Sequence, residues 1–339
     1  MMRRRCASDT TGYVDDGKHA RRQRLILYFD IRNTILVADS IANVTVEQCL
    51  NSYLTSVAWG HIDKSTNVWH WTNPDNPKPT IEKPDLEAVS YYKFAEMNMT
   101  ESNMPRFRFR RLMGDFTNTE IGEHGENFHY ILPAFFELLH YLNRENLDFT
   151  VVLRTYGLDG PNALAATSLM AAGSHREFEA IPNLRIDHCT AKLTRSTTYG
   201  QEKFTLCHAG KIYRDEKHIH DFFMSNSNHI IGVIDDFHYW QDHHFVHEAG
   251  KPCWFDKNDV KHVQMFFDDN IRLPEQDSIV NARVFNSAYT ASRSLSNQEM
   301  QECANLVQVD LLQAIGDRNY YVKQVKSVMA QRPGLNFKF

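Results

Sequence analysis

The sequence has no apolar run long enough to cross a membrane: its longest, such as residues 25–29 and 230–234, are strand-sized, far below the roughly 18 residues that a spanning helix requires. Cysteine is sparse. Six are scattered over 339 residues with no CxxC pair, which excludes a disulfide framework. The N-terminus lacks the apolar stretch of a secretory signal. Charge of one sign is also scarce, since a formal net charge of −5 with 23% charged residues gives no global field that draws a protein to nucleic acid or anionic membrane. A reducing, cytoplasmic setting without membrane or nucleic-acid partner is therefore expected, and any phosphate recognition must be local.

With 42% apolar and 12% aromatic residues, the chain can bury the core of one large domain, or of a domain carrying an insertion. Residues 1–24 are different in kind: seven Lys/Arg face three acids without hydrophobic periodicity. This stretch reads as a basic arm, and its acids argue against a mitochondrial presequence.

From Leu25 onward one grammar recurs. Leu25-Ile-Leu-Tyr-Phe-Asp30 is a continuous apolar run that ends in a carboxylate, as suits a strand buried on both faces whose carboxyl end carries function. Residues 149–153 run into Arg154-Thr155, 230–234 into Asp235-Asp236, and 263–267 into Asp268-Asp269; residues 279–285 are a fifth candidate strand. Helical patterns at 132–142 and 163–172 flank the second strand. Strand and helix in alternation predict an α/β fold, a doubly wound parallel sheet. Near the C-terminus Ser296-Asn-Gln-Glu299 is a capping box, with Leu295 and Met300 as its staple, ahead of a helix expected to end at Gly316. A second helix is expected over about residues 319–329.

Residues 38–128 break the alternation. Helix-like segments at 44–59 and 86–97 surround a Pro/Asn loop at 71–79, which predicts a mainly helical cap inserted between the first strand and the helix before the second. The core then comprises residues 25–37 and 129–339. The stretch 182–213 holds short strands or a second small insertion.

Three strand ends carry the candidate chemistry: Asp30, Thr155, and Asp268-Asp269-Asn270. Parallel strands set them side by side, and carboxylates crowded at one edge repel unless a hard cation sits among them; Mg²⁺ with oxygen ligands is the expected solution. A carboxylate beside such a cation can attack phosphorus while a hydroxyl and an ammonium hold the transferred oxygens. The ammonium candidate is Lys251 in Gly250-Lys-Pro252, with Lys257 and Lys261 as rivals.

In this order the residues resemble the haloacid dehalogenase superfamily, whose members share a Rossmann-like sheet and four short motifs at strand ends. Asp30-Ile-Arg-Asn-Thr34 resembles the first motif, with Asp30 as nucleophile, Thr155 the second motif's hydroxyl, Lys251 the third's lysine, and Asp268-Asp269 the acidic fourth. The resemblance covers residues 25–37 and about 129–285, and the 38–128 insertion sits where the superfamily often places a cap. It implies a Mg²⁺-dependent phosphatase or phosphotransferase acting on a small phosphorylated substrate.

The departure is Arg32, where the family's phosphatases usually carry a second Asp as general acid and base. A guanidinium releases no proton near neutrality. Its carbonyl can still join the metal shell, whereas its side chain can bind an anionic leaving group, pair with Asp30, or leave a slow second half-reaction. A catalytically silent binding or regulatory protein is thus the alternative expectation. Asn33 stands where the family has glycine, and Asn best tolerates left-handed backbone.

Three further features have bland counterparts. Arg106-Phe-Arg-Phe-Arg-Arg111 puts Arg106, Arg108 and Arg110 on one face of an extended segment. They serve either as substrate contacts within the cap or as a solvated face over buried rings. His243 and His247 stand at helical i, i+4 spacing among 17 histidines, yet two ligands do not make a metal site. Asp235 and Asp236 are expected to cap the segment that follows them.

Overall fold

The computed structural model describes residues 23–37, 46–98, 120–121, 127–128, 130–272 and 278–331. The basic arm through residue 22 and the segment with Arg106, Arg108 and Arg110 lie outside the described residues. In chain order the strands are β1 (Arg24–Asp30), β2 (Trp59–Asp63), β3 (Val68–Trp71), β4 (Val89–Ser90), β5 (Glu120–Ile121), β6 (Asn127–Phe128), β7 (Phe149–Thr155) and β8 (Arg185–Ile186). They continue as β9 (Ala191–Thr198), β10 (Gln201–His208), β11 (Lys211–Tyr213), β12 (His229–Ile234), β13 (Lys251–Phe255), β14 (His262–Asp268), β15 (Val280–Phe285), β16 (Ser292–Ser294) and β17 (Leu306–Gln308).

The fold is α/β around a mainly parallel central sheet. Among the described residues its strand order is β11-β10-β9-β12-β7-β1-β14-β17, with β8 beside β12. Strands β12, β7, β1, β14 and β17 are parallel neighbours. From β1 the chain builds one flank through β7 and β12, then crosses to build the other through β14 and β17. That reversal makes β1 the topological switch point, and ligands of open α/β sheets bind at the carboxyl ends of strands beside it.

Why β1 is central follows from its sequence. Side chains alternate across a strand, and Leu25, Leu27 and Phe29 enter one core cluster while Ile26 and Tyr28 enter another on the opposite face. The first cluster takes apolar residues of helices Pro133–Arg144, Gly160–Ala171, Leu311–Gly316 and Tyr320–Ala330. The second takes those of helix Glu216–Ser225 and of a small sheet ordered β13-β15-β16. Close helix-to-strand approach is possible at Gly232 of β12, where a Cβ would lie 2.6 Å from Thr190 and 2.9 Å from Leu164.

Of four expectations for the core, two need correction: the sheet that residues 280–285 join and the end of the helix after Ser296. Residues 280–285 do form a strand, but it pairs with β13 in the small sheet and not with the central one. So one face is wound by a helix and a sheet. The stretch 182–213 extends the main sheet through the antiparallel strands β9, β10 and β11. Its two turns, Tyr199-Gly200 and Ala209-Gly210, carry positive φ at both central residues, the type I′ geometry that suits strand twist. The capping box at Ser296 is formed, yet its helix ends at Gln301, because Leu306-Val307-Gln308 pairs in parallel with β14. The second helix runs over Tyr320–Ala330, close to expectation.

Within 38–128, helix Val46–Ser56 buries Cys49, Leu50, Tyr53 and Leu54 in the main core, and Tyr53 accepts a hydrogen bond from the Leu311 amide at 3.1 Å. Among the described residues, the part beyond it is not mainly helical. Helix Tyr91–Asn98 accompanies an antiparallel sheet ordered β3-β2-β4, whose first hairpin shows the alternation of a strand pair in Trp59-Gly-His-Ile-Asp63 and Val68-Trp-His-Trp71. No described helix is long and apolar enough to cross a membrane.

Phe29 holds the two halves of this architecture together. Its ring stacks on Phe267 at 4.4 Å and meets Phe135 and Tyr321 edge-on at 5.3 and 5.1 Å. Phe29→Ala is expected to cost about 3–5 kcal/mol in urea unfolding; a loss below about 1 kcal/mol would contradict this packing.

Candidate functional site

The parallel register decides which strand-end side chains meet. Asp30 is level with Arg154 of β7, and the Phe29–Phe267 pairing sets Asp268 of β14 beside Asp30. All three follow Tyr28 and Phe266 onto the face covered by the small sheet. Lys251, the first residue of β13, reaches across from that sheet. Its Nζ donates to Asp30 Oδ1 at 2.5 Å and to Asp268 Oδ2 at 2.8 Å. Asp30, Lys251 and Asp268 are buried, at 8%, 1% and 0% exposure.

Oxygen atoms of Asp30, Asp268 and Asp269 lie within 4.8 Å of one another, the one such acidic cluster among the described residues. When all are ionised, one ammonium faces three carboxylates. Burial would favour the neutral amine of Lys251, but Asp268 and Asp30 outweigh it and hold the ammonium charged, above the ordinary lysine range. Burial drives Asp30 well above the usual carboxylate range, with Asp268 and Asp269 adding to the effect against Lys251. Asp269 is pushed up to about 7, first by burial and then by Asp268. An all-oxygen donor set with surplus negative charge is what a hard divalent cation needs, so these residues fit an ion of that class.

Around the cluster the backbone is fixed by local chemistry. The turn after β1 places Asn33 at φ 57, the left-handed geometry that its residue type tolerates, and an Asn33 side-chain hydrogen bond stabilises ionised Asp269. Tyr321 donates to the Thr34 carbonyl at 2.5 Å, tying this turn to the last helix. After β14, the Asn270 amide donates to Asp268 Oδ1 at 2.9 Å and its side chain to Asp269 Oδ1 at 3.0 Å. Arg32 is exposed, one residue beyond the buried Ile31, and its backbone bridges to Leu36.

Thr155 lies at the end of β7, level with Ile234. Its hydroxyl accepts from the Gly157 amide at 2.8 Å and donates to Asp159 at 2.7 Å, so it organises the loop that follows. To hold a phosphoryl oxygen it must redirect its only proton. Lys257 and Lys261 are exposed, which leaves Lys251 as the lysine brought to the acids.

The chain also contains a buried ion pair that sequence reading missed. Arg154, fully buried, donates to both oxygens of Asp235 at 2.8 and 2.5 Å and to the Pro252 carbonyl at 3.1 Å. The last bond fastens the start of β13 and hence Lys251. Asp236 alone takes the expected capping role, accepting from the Tyr239 amide. The signal was present in Arg154, a charged residue closing an otherwise apolar strand that needs a buried partner. His243 and His247 do not share a helix: the helix ends at Asp242, His243 stacks on Tyr239 at 4.0 Å, and His247 begins a separate turn.

No family model, no curated protein and no solved structure matches the chain. Its chemistry therefore rests on its own geometry.

The charge imbalance generates a pH dependence. Without a cation, folded Asp269 keeps its proton up to about 7, whereas the unfolded chain releases it near 4. The folded state thus binds more protons in that window, and its stability falls as pH rises through it. Mg²⁺ at about 10 mM should raise the melting temperature by about 5 °C at about pH 8 and much less at about pH 5. Asp269→Asn should flatten both effects in thermal melts; an equal cation shift at the two pH values would contradict the assignment.

Proposed function

We propose that the protein is a phosphoryl-transfer enzyme of the haloacid dehalogenase type, a phosphatase or phosphotransferase, with Asp30 as nucleophile. One observation carries this reading: Asp30, Asp268, Asp269 and Lys251, from three separate strands and the turn after β14, converge at the switch point of a parallel sheet. Residues 57–98, where most of the described side chains are exposed, are the described part of the chain that we assign to a cap.

Asp30, Asp268, Asp269 and the Arg32 carbonyl would hold Mg²⁺, which when bound neutralises the charge of a phosphoryl group. In the first half-reaction a carboxylate oxygen of Asp30 forms a bond to phosphorus as the bond to the leaving oxygen breaks, and the leaving group departs with that electron pair. In the second, water attacks the aspartyl-phosphate, releasing dihydrogen phosphate and regenerating the Asp30 carboxylate. Lys251 orients Asp30 in both and puts a fixed positive charge where phosphoryl oxygens gather. Thr155 and the Gly157 amide shape the loop on the other side of Asp30. Arg32 supplies no proton to the leaving group, so leaving groups that depart as stable anions are favoured.

The same Arg32 favours a second reading, a silent protein that keeps the fold and the cation. Incubation with Mg²⁺ and a panel of phosphomonoesters separates the two. The enzyme reading expects wild-type turnover that Asp30→Asn lowers by more than about a thousandfold, together with acid-quench trapping of phosphate on Asp30. Arg32→Asp should raise turnover of alkyl phosphates by about a hundredfold, the usual worth of a general acid. A wild type inert toward every ester, with turnover appearing only in Arg32→Asp, would instead support the silent protein.

A further inference from the structure

We infer that the site takes an aryl phosphate, its ring held by an aromatic platform beside the acids; this rests on the phosphoryl-transfer reading and names the substrate class. The platform is built by Tyr156, which follows β7, and by Phe237, Trp240 and Phe245, which follow β12. Both strands end at the edge where Asp30 lies. Lys251 Nζ sits 5.3 Å from the centre of the Tyr156 ring. Tyr156 stacks on Trp240 at 5.1 Å and meets Phe237 edge-on at 5.8 Å, and Phe245 meets Trp240 edge-on at 5.0 Å. The rings therefore run continuously from the ammonium to the surface.

The outer two rings are not packed away. Phe237 is 38% and Phe245 41% exposed, and the centres of their rings lie 6.4 Å apart. Phe245 is held there at a cost. Both His244 and Phe245 have positive φ, 56 and 60, a geometry that non-glycine residues adopt only where the surrounding structure enforces it. The hydrogen bond from the Phe245 amide to the Trp240 carbonyl, 3.0 Å, fixes the bend. A backbone strained to present an exposed ring beside a second one fits a planar aromatic ligand, which ring edges and faces bind better than an alkyl chain.

The chemistry at position 32 points to the same class independently. Arg32 cannot protonate a departing oxygen. A phenoxide leaves with its electron pair and takes its proton from solvent afterwards, whereas an alkoxide needs the proton during bond cleavage. Charge and atoms then balance without a general acid: aspartate and aryl phosphate give aspartyl-phosphate and phenoxide.

The test is calorimetric titration of the full chain with phenylphosphonate and ethylphosphonate in the presence of Mg²⁺, in wild type and in the double variant Phe237→Ala/Phe245→Ala. Both side chains are part-exposed, so the variant is expected to fold. The expected result is about tenfold tighter binding of phenylphosphonate, the size of one or two ring contacts. In the double variant this preference should disappear while ethylphosphonate binding stays the same. Phenyl phosphate should also be turned over at least about tenfold faster than benzyl phosphate, which has a ring but an alkoxide leaving group. Equal affinity for the two phosphonates, a preference that survives the double substitution, or equal turnover of the two esters would overturn the inference. Binding of neither phosphonate would overturn the phosphoryl-site reading itself.

Discussion

Carboxylates brought together in a buried place repel one another, and the fold must answer that repulsion. Here Asp30, Asp268 and Asp269 are forced together by the register of β1 with β14, while Lys251 offsets only part of their charge. The apolar clusters on both faces of the sheet make the juxtaposition unavoidable, because Phe29 and Phe267 stack immediately before the acids. Stability of the sheet and strain at its edge thus have the same origin. A divalent cation held there would relieve that repulsion and, under the proposed function, would offset the charge of a phosphoryl group.

The rest of the structure supports this edge from below. The Arg154–Asp235 pair lies next to the acids on the same face of the sheet and, through the Pro252 carbonyl, links the central sheet to the small one that carries Lys251. A buried pair of this kind contributes little net stability, but removing one partner leaves an uncompensated charge. Its value here is positional. The small sheet is also tied to the β9–β10 hairpin, because Arg283 of β15 pairs with Glu202 of β10 and with Glu216 at the start of the next helix.

Legibility in the sequence followed physical strength of signal. β1, β7, β12 and β14 were readable because strands buried on both faces leave unbroken apolar runs, and each closed with the polar residues that now stand at the carboxyl edge. The capping box was readable because Ser296 and Glu299 form a reciprocal pair at fixed spacing. Strand membership was harder. Nothing local distinguishes residues 280–285 as a partner of β13 from a member of the central sheet, since that depends on contacts distant in sequence. The β9–β11 meander was legible only as short strands or a small insertion, because its turns use Tyr-Gly and Ala-Gly in place of the stronger Asn-Gly. At the site, the acids and Lys251 were named from sequence, but the Arg154–Asp235 pair and the aromatic platform were not. Those features depend on which strand ends adjoin, which no spacing within one segment encodes.

The central claim is that one cation is shared by acids from two strands. Crystals grown with Mn²⁺ as a Mg²⁺ surrogate test it most directly, through the anomalous signal of the metal. The account predicts a single peak bonded to oxygens of Asp30 and of the Asp268-Asp269 pair at about 2.1 Å. Mn²⁺ bound only elsewhere, or no peak at the end of β1 with the Lys251 bridges intact, would contradict it.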